Sequence, residues 1–575
     1  MEETTPVNEG AEAFVQLLNA NGVDYIFLNP GSDTFPIQEA LSKFKAMGRR
    51  TPEVILTLHE SAGMAAAHGY FMVSRRPQVV LVHVDLGTQQ VGGALHNAQR
   101  GRIAVILCAG RSPLTFDGDK RGGRSHYLHW LTEQFDQAGI VRNYVKWDYE
   151  LRGNDNIHHV VQRAFQISST EPCGPVYLSL PREVLMEKID EVRILPVARY
   201  AAPSTPQADT SLLAKVAGML IDAEVPLIIA GDSGRHPQSV ASLVELAETL
   251  SARVITSQLM MNFPTTHPLC GGFDANPYLK DADVILVIDT DVPYVPAQTR
   301  PKAGAKIIHI DIDPVKQNIP MWSFPADVLI EADSSKALPV LSEMIRKRVT
   351  PEQQAHFEVR FRQLQGEHQK LQAEWHALAM SKAEQKPISP EWLCLCIDEV
   401  VDEDTLILNE AVTNELAVAR QVRRTKPGTL FGPGGSSLGW GLGAALGAKL
   451  AAPDKAVVTL VGDGSFIFGC PIAALWAADK YRAPFLCVIF NNNLYNAPKM
   501  ALRRAYGEES FSEKTGLWVG MDITPSPNYA LIAQACHAYG QTVEDPSELK
   551  SALRSAIDKV RSGKPVVLDV RVESS

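Results

Sequence analysis

The sequence predicts an α/β protein built from three doubly wound, parallel-sheet domains. Three observations carry that expectation. A chain of 575 residues with 45% hydrophobic and 21% charged residues far exceeds what one hydrophobic core organises, since domains run to roughly 100–200 residues. Short β-branched runs alternate with helical patterns of about 12–15 residues, the signature of βαβ units and parallel sheets. Two distant passages, "HESAGMAAAHGYFMVSRRPQVVLVHVDLG" and "GGSSLGWGLGAALGAKLAAPDKAVVTLVGDG", share a helix of small residues, a proline turn and a strand ending in an acid and a glycine. That repeat suggests two copies of one domain.

Taken in order, "VDYIFLNPG", "QVVLVHVDLG", "RIAVILCAG" and "GPVYLSLP" supply the strands of a first domain, placed at 1–190. A Pro- and Ala-rich stretch, "LPVARYAAPSTPQAD", then reads as a linker. The runs "VPLIIAGDSG", "DVILVIDTD" and "AKIIHIDID" belong to a central unit at 205–345. A polar, helix-prone stretch, "TPEQQAHFEVRFRQLQGEHQKLQAEW", reads as a second linker. The last domain, 385–575, carries "AVVTLVGDG" and "PFLCVIFNN" and closes on "KPVVLDVRV", the counterpart of "GPVYLSL".

Composition narrows the partners. A formal net charge of −10 and a pI near 5.9 argue against nucleic acid and anionic membrane, because phosphate binding calls for a basic face. No stretch reaches the roughly 18–20 apolar residues of a membrane span, and "MEETTPVNEG" lacks the basic and apolar regions of an export signal. Eight scattered cysteines without a CxxC pair read as reduced thiols. The expectation is a cytoplasmic protein that handles small molecules.

The chemistry starts at Asp463, held between Gly462 and Gly464 where an apolar strand ends. After 26 intervening residues (465–490) comes Asn491-Asn492-Asn493-Leu494-Tyr495. The intervening segment reads as a helix and then a strand, so both motifs emerge at the same carboxyl edge of a parallel sheet, where ligands bind. A hard cation such as Mg²⁺ takes oxygen ligands from one or two side chains plus substrate phosphates. Asp463, an asparagine and one backbone carbonyl would supply such a half-shell, and Gly464 would let backbone N–H groups approach a diphosphate. Read alone, Asp463 is a turn acid; the spaced asparagines favour the metal.

This pair of motifs resembles the thiamine diphosphate signature, and the resemblance extends over nearly the whole chain to the decarboxylase and acetolactate synthase superfamily. It implies a pyrimidine-binding, a central and a diphosphate-binding domain. It implies thiamine diphosphate and Mg²⁺ as cofactors, with the metal on Asp463, Asn492 and the Leu494 carbonyl, and Gly462, Gly464 and Ser465 around the diphosphate. Glu60, ahead of a small-residue helix, matches the glutamate that acts on N1′ of the aminopyrimidine. In the family this glutamate and the metal belong to different subunits, which implies a homodimer or homotetramer. "GGSSLGWGLG" is similar to the segment that bends the cofactor, making Leu438 the apolar wedge and the Ser436 carbonyl the partner of the 4′-amino group; ordinary core is the other reading of Leu438.

Several stretches are similar to those of benzoylformate decarboxylases. "FLNPGSDTFPIQEAL" implies that Ser32 meets the substrate carboxylate, and "VVLVHVDLGTQQ" implies that His83 transfers protons. The expected activity is decarboxylation of a 2-oxo acid, with the resulting enamine protonated to an aldehyde or ligated to a second carbonyl. The central stretch "IDTDVPYVPAQTRPK" has no histidine where those decarboxylases carry a second one, which tilts the expectation toward ligation. Acetolactate synthase-like ligation, a 2-hydroxyacyl-CoA lyase and a catalytically retired scaffold remain as alternatives. The flavin phrase of acetolactate synthases is missing, so FAD is not expected, although "LIIAGDSGRH" (227–236) can be read as a weak nucleotide loop. A loop over 111–130 concentrates Arg111, Lys120, Arg121, Arg124, His126 and His129. It reads as a solvated surface, with an anion clamp as the sharper alternative.

Overall fold

The structure, a computed structural model, describes residues 3–574. They gather into two compact units. One reaches to Pro203 and takes in Pro433–Thr542 and Ser555–Asp569; the other holds Ser204–Gly432, Val543–Arg554 and the stretch from Val570 on.

The first unit opens with β1 (Glu3–Pro6), β2 (Tyr25–Leu28), β3 (Glu53–Leu56), β4 (Gln78–Val82), β5 (Val105–Arg111), β6 (Asp148–Glu150) and β7 (Val176–Pro181). A further strand, β8 (Glu191–Ile194), returns antiparallel to β1. The other six form one sheet in the order β3-β2-β4-β5-β7-β6, with every pairing parallel. Parallel strands need crossovers that cover both faces, and β4 is accordingly buried at all of its positions. Phe14, Leu18, Ile37, Phe44 and Phe165 from the covering helices close over Ile26, Leu81, Cys108 and Leu178 of the sheet.

In the second unit, β9 (Pro226–Ala230), β10 (Arg253–Thr256), β11 (Val284–Ile288), β12 (Lys306–Asp311) and β13 (Val328–Glu331) form a parallel sheet ordered β10-β9-β11-β12-β13. The unit also holds the parallel pair β14 (Leu406–Glu410) and β15 (Leu430–Phe431). The polar stretch after the central sheet is one helix, Pro351–Ser381. Thr350 and Gln353 close a reciprocal capping box at its start, which satisfies otherwise orphaned N–H groups. Its buried residues Phe357, Leu364, His368, Trp375 and Ala379 follow helical spacing along one stripe.

The chain then returns to the first unit with β16 (Val457–Gly462), β17 (Leu486–Asn491), β18 (Tyr539–Val543) and β19 (Val566–Arg571), ordered β16-β17-β19-β18. This repeats the order β4-β5-β7-β6, and the pair β14–β15 repeats β2–β3, as the internal sequence repeat predicts. The two small-residue helices of the repeat, Glu60–Ser74 and Trp440–Ala451, pack on each other. A Cβ at Gly69 would run into the Ala444 carbonyl, and one at Gly447 into that of Ala66. The small residues thus serve helix-to-helix approach.

Candidate functional site

β16 ends at Gly462, and the chain turns at once into a short helix, Asp463–Phe468. β17 runs parallel beside it, with Gly462 opposite Phe490, so Asp463 and Asn491 leave the sheet at the same edge. Asp463 is 3% exposed. Its Oδ1 accepts a hydrogen bond from the Gly464 N–H at 2.9 Å, while Oδ2 is buried without a partner. Burial pushes the carboxyl from its ordinary 3.8 up to about 6, because a charge away from water is disfavoured. An orphaned, desolvated carboxylate oxygen is what an added cation would relieve.

The asparagine run divides its labour. Asn491 turns inward, its Nδ2 donating to Asp569 Oδ1 on β19 at 2.7 Å. Asn492 stays partly exposed, and its Oδ1 accepts from the Leu494 N–H at 3.0 Å. The Asp463 carboxylate, the Asn492 amide oxygen and the Leu494 carbonyl could supply hard oxygens of the kind that suits Mg²⁺, which keeps water and phosphate oxygens as its other ligands. Among the described residues no three His, Cys, Asp or Glu side chains gather as a soft-metal site would require. Gly464 has a different reason from the expected one: its N–H is engaged by Asp463, and a Cβ there would meet the Tyr495 ring at 2.6 Å. The open glycine is Gly462, whose added Cβ would find nothing nearer than Ser465 Oγ at 4.0 Å.

Glu60 stands in the first turn of its helix, capped by the His59 ring, which accepts from the Ser61 N–H at 3.2 Å. Its Oε1 lies 3.3 Å from where a Cβ on Gly87 would be, and its charge bears on both His83 and Cys470. Beside it opens a cavity of about 360 Å³ lined by His59, Ser61, Gln90, Leu438, Phe468 and Cys470, among others. Leu438 is therefore a partly exposed wall of that cavity and not ordinary core. Its segment is braced by Asn97, which donates to the Ser437 carbonyl at 2.8 Å and accepts from the Ser437 N–H at 3.0 Å. Ser436 is exposed beside it.

The turn after β2 carries Ser32, exposed, and Asp33, 3% exposed. Directly after β4 comes His83. Because β2 and β4 are parallel neighbours, both meet at the sheet's carboxyl edge, and Asp33 Oδ1 is hydrogen-bonded to His83 Nδ1. Asp33 Oδ2 accepts from the Val84 N–H at 3.1 Å. Val84 itself has φ 24, a strained value for a β-branched residue and the kind of strain that collects at functional sites. Asp33 carries no motif of its own in the sequence; its only signal is being an acid next to Ser32.

The basic loop is exposed over residues 116–121 and 125–128, in line with a solvated surface, although several of its cations are engaged. Arg111, Arg121 and Arg124 are ion-paired with Glu150, Glu9 and Glu133, so these guanidiniums are engaged, and Arg124 and His129 are buried within it. The loop is tied to the end of β7: Arg182, 5% exposed, donates to the carbonyls of Ser32, Gly122 and Gly123. Glu183 Oε1 accepts from the N–H groups of Leu114 and Thr115. What is exposed is mixed: Asp117, Asp119, Lys120, Arg121 and His126 stand beside Phe116, Tyr127 and Trp130.

Comparison with known proteins agrees with this geometry. Residues 8–140 match the N-terminal TPP binding domain of thiamine pyrophosphate enzymes, 213–341 their central domain and 411–570 their C-terminal TPP binding domain. The chain belongs to the thiamine pyrophosphate enzymes. Within that class it is 28% identical to a benzoylformate decarboxylase of Pseudomonas aeruginosa, with 98% of each chain covered. It is 25% identical to an acetolactate synthase large subunit of Escherichia coli, covering 98% of this chain and 95% of that one. A thiamine diphosphate-dependent 4-hydroxybenzoylformate decarboxylase from Rhodococcus jostii shares the fold at a TM-score of 0.79 and 23% identity over 99% of both chains.

Proposed function

We propose that this thiamine diphosphate enzyme decarboxylates a 2-oxo acid and passes the product either to a proton, giving an aldehyde, or to a second carbonyl compound, giving a hydroxyketone. The observation that carries the reading is the buried, partnerless Oδ2 of Asp463 at the strand edge shared with Asn492 and Leu494. Asp463, Asn492 and the Leu494 carbonyl would hold Mg²⁺, and the open side of Gly462 with Ser465 would receive the diphosphate. When bound, the cofactor supplies an electron sink for the pair released as CO₂ leaves. Glu60 would hold a proton at N1′ of the aminopyrimidine, and Leu438 would press on the ring system from the cavity wall, with the Ser436 carbonyl beside the 4′-amino group. Ser32 would hydrogen-bond the substrate carboxylate, and His83 would move protons at the reacting carbon.

The expected domain bounds, 1–190, 205–345 and 385–575, belong to the same reading. So does an assembly of at least two chains, supported by the exposed apolar side chains Phe116, Phe468 and Ile472. No described helix is long and apolar enough to cross a membrane; with cysteines that are all free and mostly buried, we place the enzyme in the cytoplasm.

The test is CO₂ release from a panel of aliphatic and aromatic 2-oxo acids, with and without thiamine diphosphate and Mg²⁺, each with an aldehyde or 2-oxo acid acceptor present or absent. Cofactor-dependent release abolished by Asp463→Ala supports the reading. Cofactor binding without release from any acid would point to the retired scaffold.

A further inference from the structure

We infer that Asp33 is a positioning residue for His83, fixing the hydrogen on Nδ1 so that Nε2 is the atom that delivers a proton to the carbon that has lost CO₂. The inference rests on the reading of His83 as the proton-transfer group and adds the residue that makes it an acid.

The geometry is built from three strand ends. Asp33 follows β2, His83 follows β4, and Gly110 lies in β5, three strands adjacent in the sheet. A Cβ on Gly31 would collide with the His83 ring and Asp33, and a Cβ on Gly110 with the Asp33 carboxylate. Two glycines thus leave room for one buried carboxylate between the edges. Both its oxygens are used, one by His83 Nδ1 and the other by the Val84 N–H. The second bond ties the carboxylate to the strained residue that follows the histidine, so Asp33 grips ring and backbone together.

An ionised carboxylate only accepts hydrogen bonds, so Nδ1 must carry a hydrogen in either protonation state. That leaves Nε2 as the atom that gains or loses a proton, on a side chain still 28% exposed. The hydrogen bond that His83 donates to Asp33 is the largest cause raising the His83 pKa; burial opposes it, and the charges of Asp33, Asp85 and Glu60 add smaller raising contributions. The other charges near this edge are Arg182, which interacts with Asp33, and Arg111, paired with Glu150. In the transfer, the Nε2–H bond breaks and its electron pair stays on nitrogen, the pair left on carbon by the departing CO₂ takes the proton to form the C–H bond of the aldehyde, and solvent reprotonates Nε2. Asp33 keeps its two hydrogen bonds throughout. A second histidine is then not required for aldehyde release, and the expected tilt toward ligation is offset.

The test uses the full chain labelled with ¹⁵N-histidine, His83 being assigned by the signal lost in His83→Gln. In cofactor-free wild type, neutral His83 should carry its proton on Nδ1; proton on Nε2 overturns the inference without any variant. Asp33→Asn should lower the His83 titration midpoint and mix the tautomers, whereas Asp85→Asn should lower the midpoint less and leave the tautomer alone. Equal effects from both variants overturn positioning in favour of a general field. In loaded enzyme, Asp33→Asn should cut free aldehyde by roughly tenfold or more and move its alkaline pH limit downward, while ligated product with saturating acceptor falls less. If the spectra behave as expected but His83→Ala retains full aldehyde release, the reading of His83 fails and takes the catalytic role of Asp33 with it. If His83→Ala abolishes release and the spectra do not change in Asp33→Asn, only the positioning role fails.

Discussion

Asp463 carries opposite demands from stability and from binding. Its carboxyl is raised from 3.8 to about 6 by burial, so the folded chain disfavours the charged form. The sign follows: the unfolded state ionises first, and the cofactor-free protein should lose stability as pH rises from about 4 to about 6. At about 1.4 kcal/mol per pK unit the loss is about 3 kcal/mol. Denaturant titrations of cofactor-free protein at pH 4 and pH 7 should show this fall in wild type and not in Asp463→Asn. Mg²⁺ with thiamine diphosphate should restore the loss at pH 7 in wild type alone, by binding only the folded state. Glu60→Gln should leave that stabilisation in place, because the diphosphate and metal contacts lie elsewhere. It should slow hydrogen–deuterium exchange at the thiazolium carbon by roughly 100-fold or more, measured by NMR on the bound cofactor.

At the scale of elements, glycine in a helix separates local from tertiary effects. Replacing an interior helix glycine by alanine favours the helix itself by about 1 kcal/mol. Gly366, in the helix Pro351–Ser381, has no atom within 4 Å of an added Cβ, so Gly366→Ala should stabilise by about that amount. Gly447, in the helix Trp440–Ala451, faces the Ala66 carbonyl, so Gly447→Ala should destabilise by about 2 kcal/mol as the two helices are forced apart. Opposite shifts in denaturation midpoint are the expected result. In the basic loop, local composition gave the solvated run correctly, while the tether by Arg182 and Glu183 and the carboxylates on its arginines are tertiary.

For the whole molecule, exposed Phe468, Ile472 and Phe116 lead us to expect self-association. Sedimentation equilibrium should give at least a dimer at micromolar concentration, and Phe468→Asp should weaken it together with cofactor affinity, leaving the secondary structure content unchanged. A monomer with full activity would refute a site shared between chains.

Short-range pattern along the chain encodes part of this protein. Apolar runs and helical spacing are local, so the α/β class and the parallel strands were legible; the duplicated small-residue helix and strand-end acid were legible because a repeat is a comparison of the chain with itself. Asp463 and the asparagine pair were legible because one βαβ crossover separates them, and the register of two adjacent strands does the rest. Only the tertiary structure decided the pairing of Asp33 with His83, 50 residues apart, of Arg182 with Ser32, 150 apart, and of Asn97 with Ser437, 340 apart. The third contact depends on how a helix packs against the Ser437 segment; the first two depend on strand order, which places the ends of β2, β4, β5 and β7 along one edge. No local pattern specifies it, because order in a sheet is settled by which faces bury together once every strand has formed.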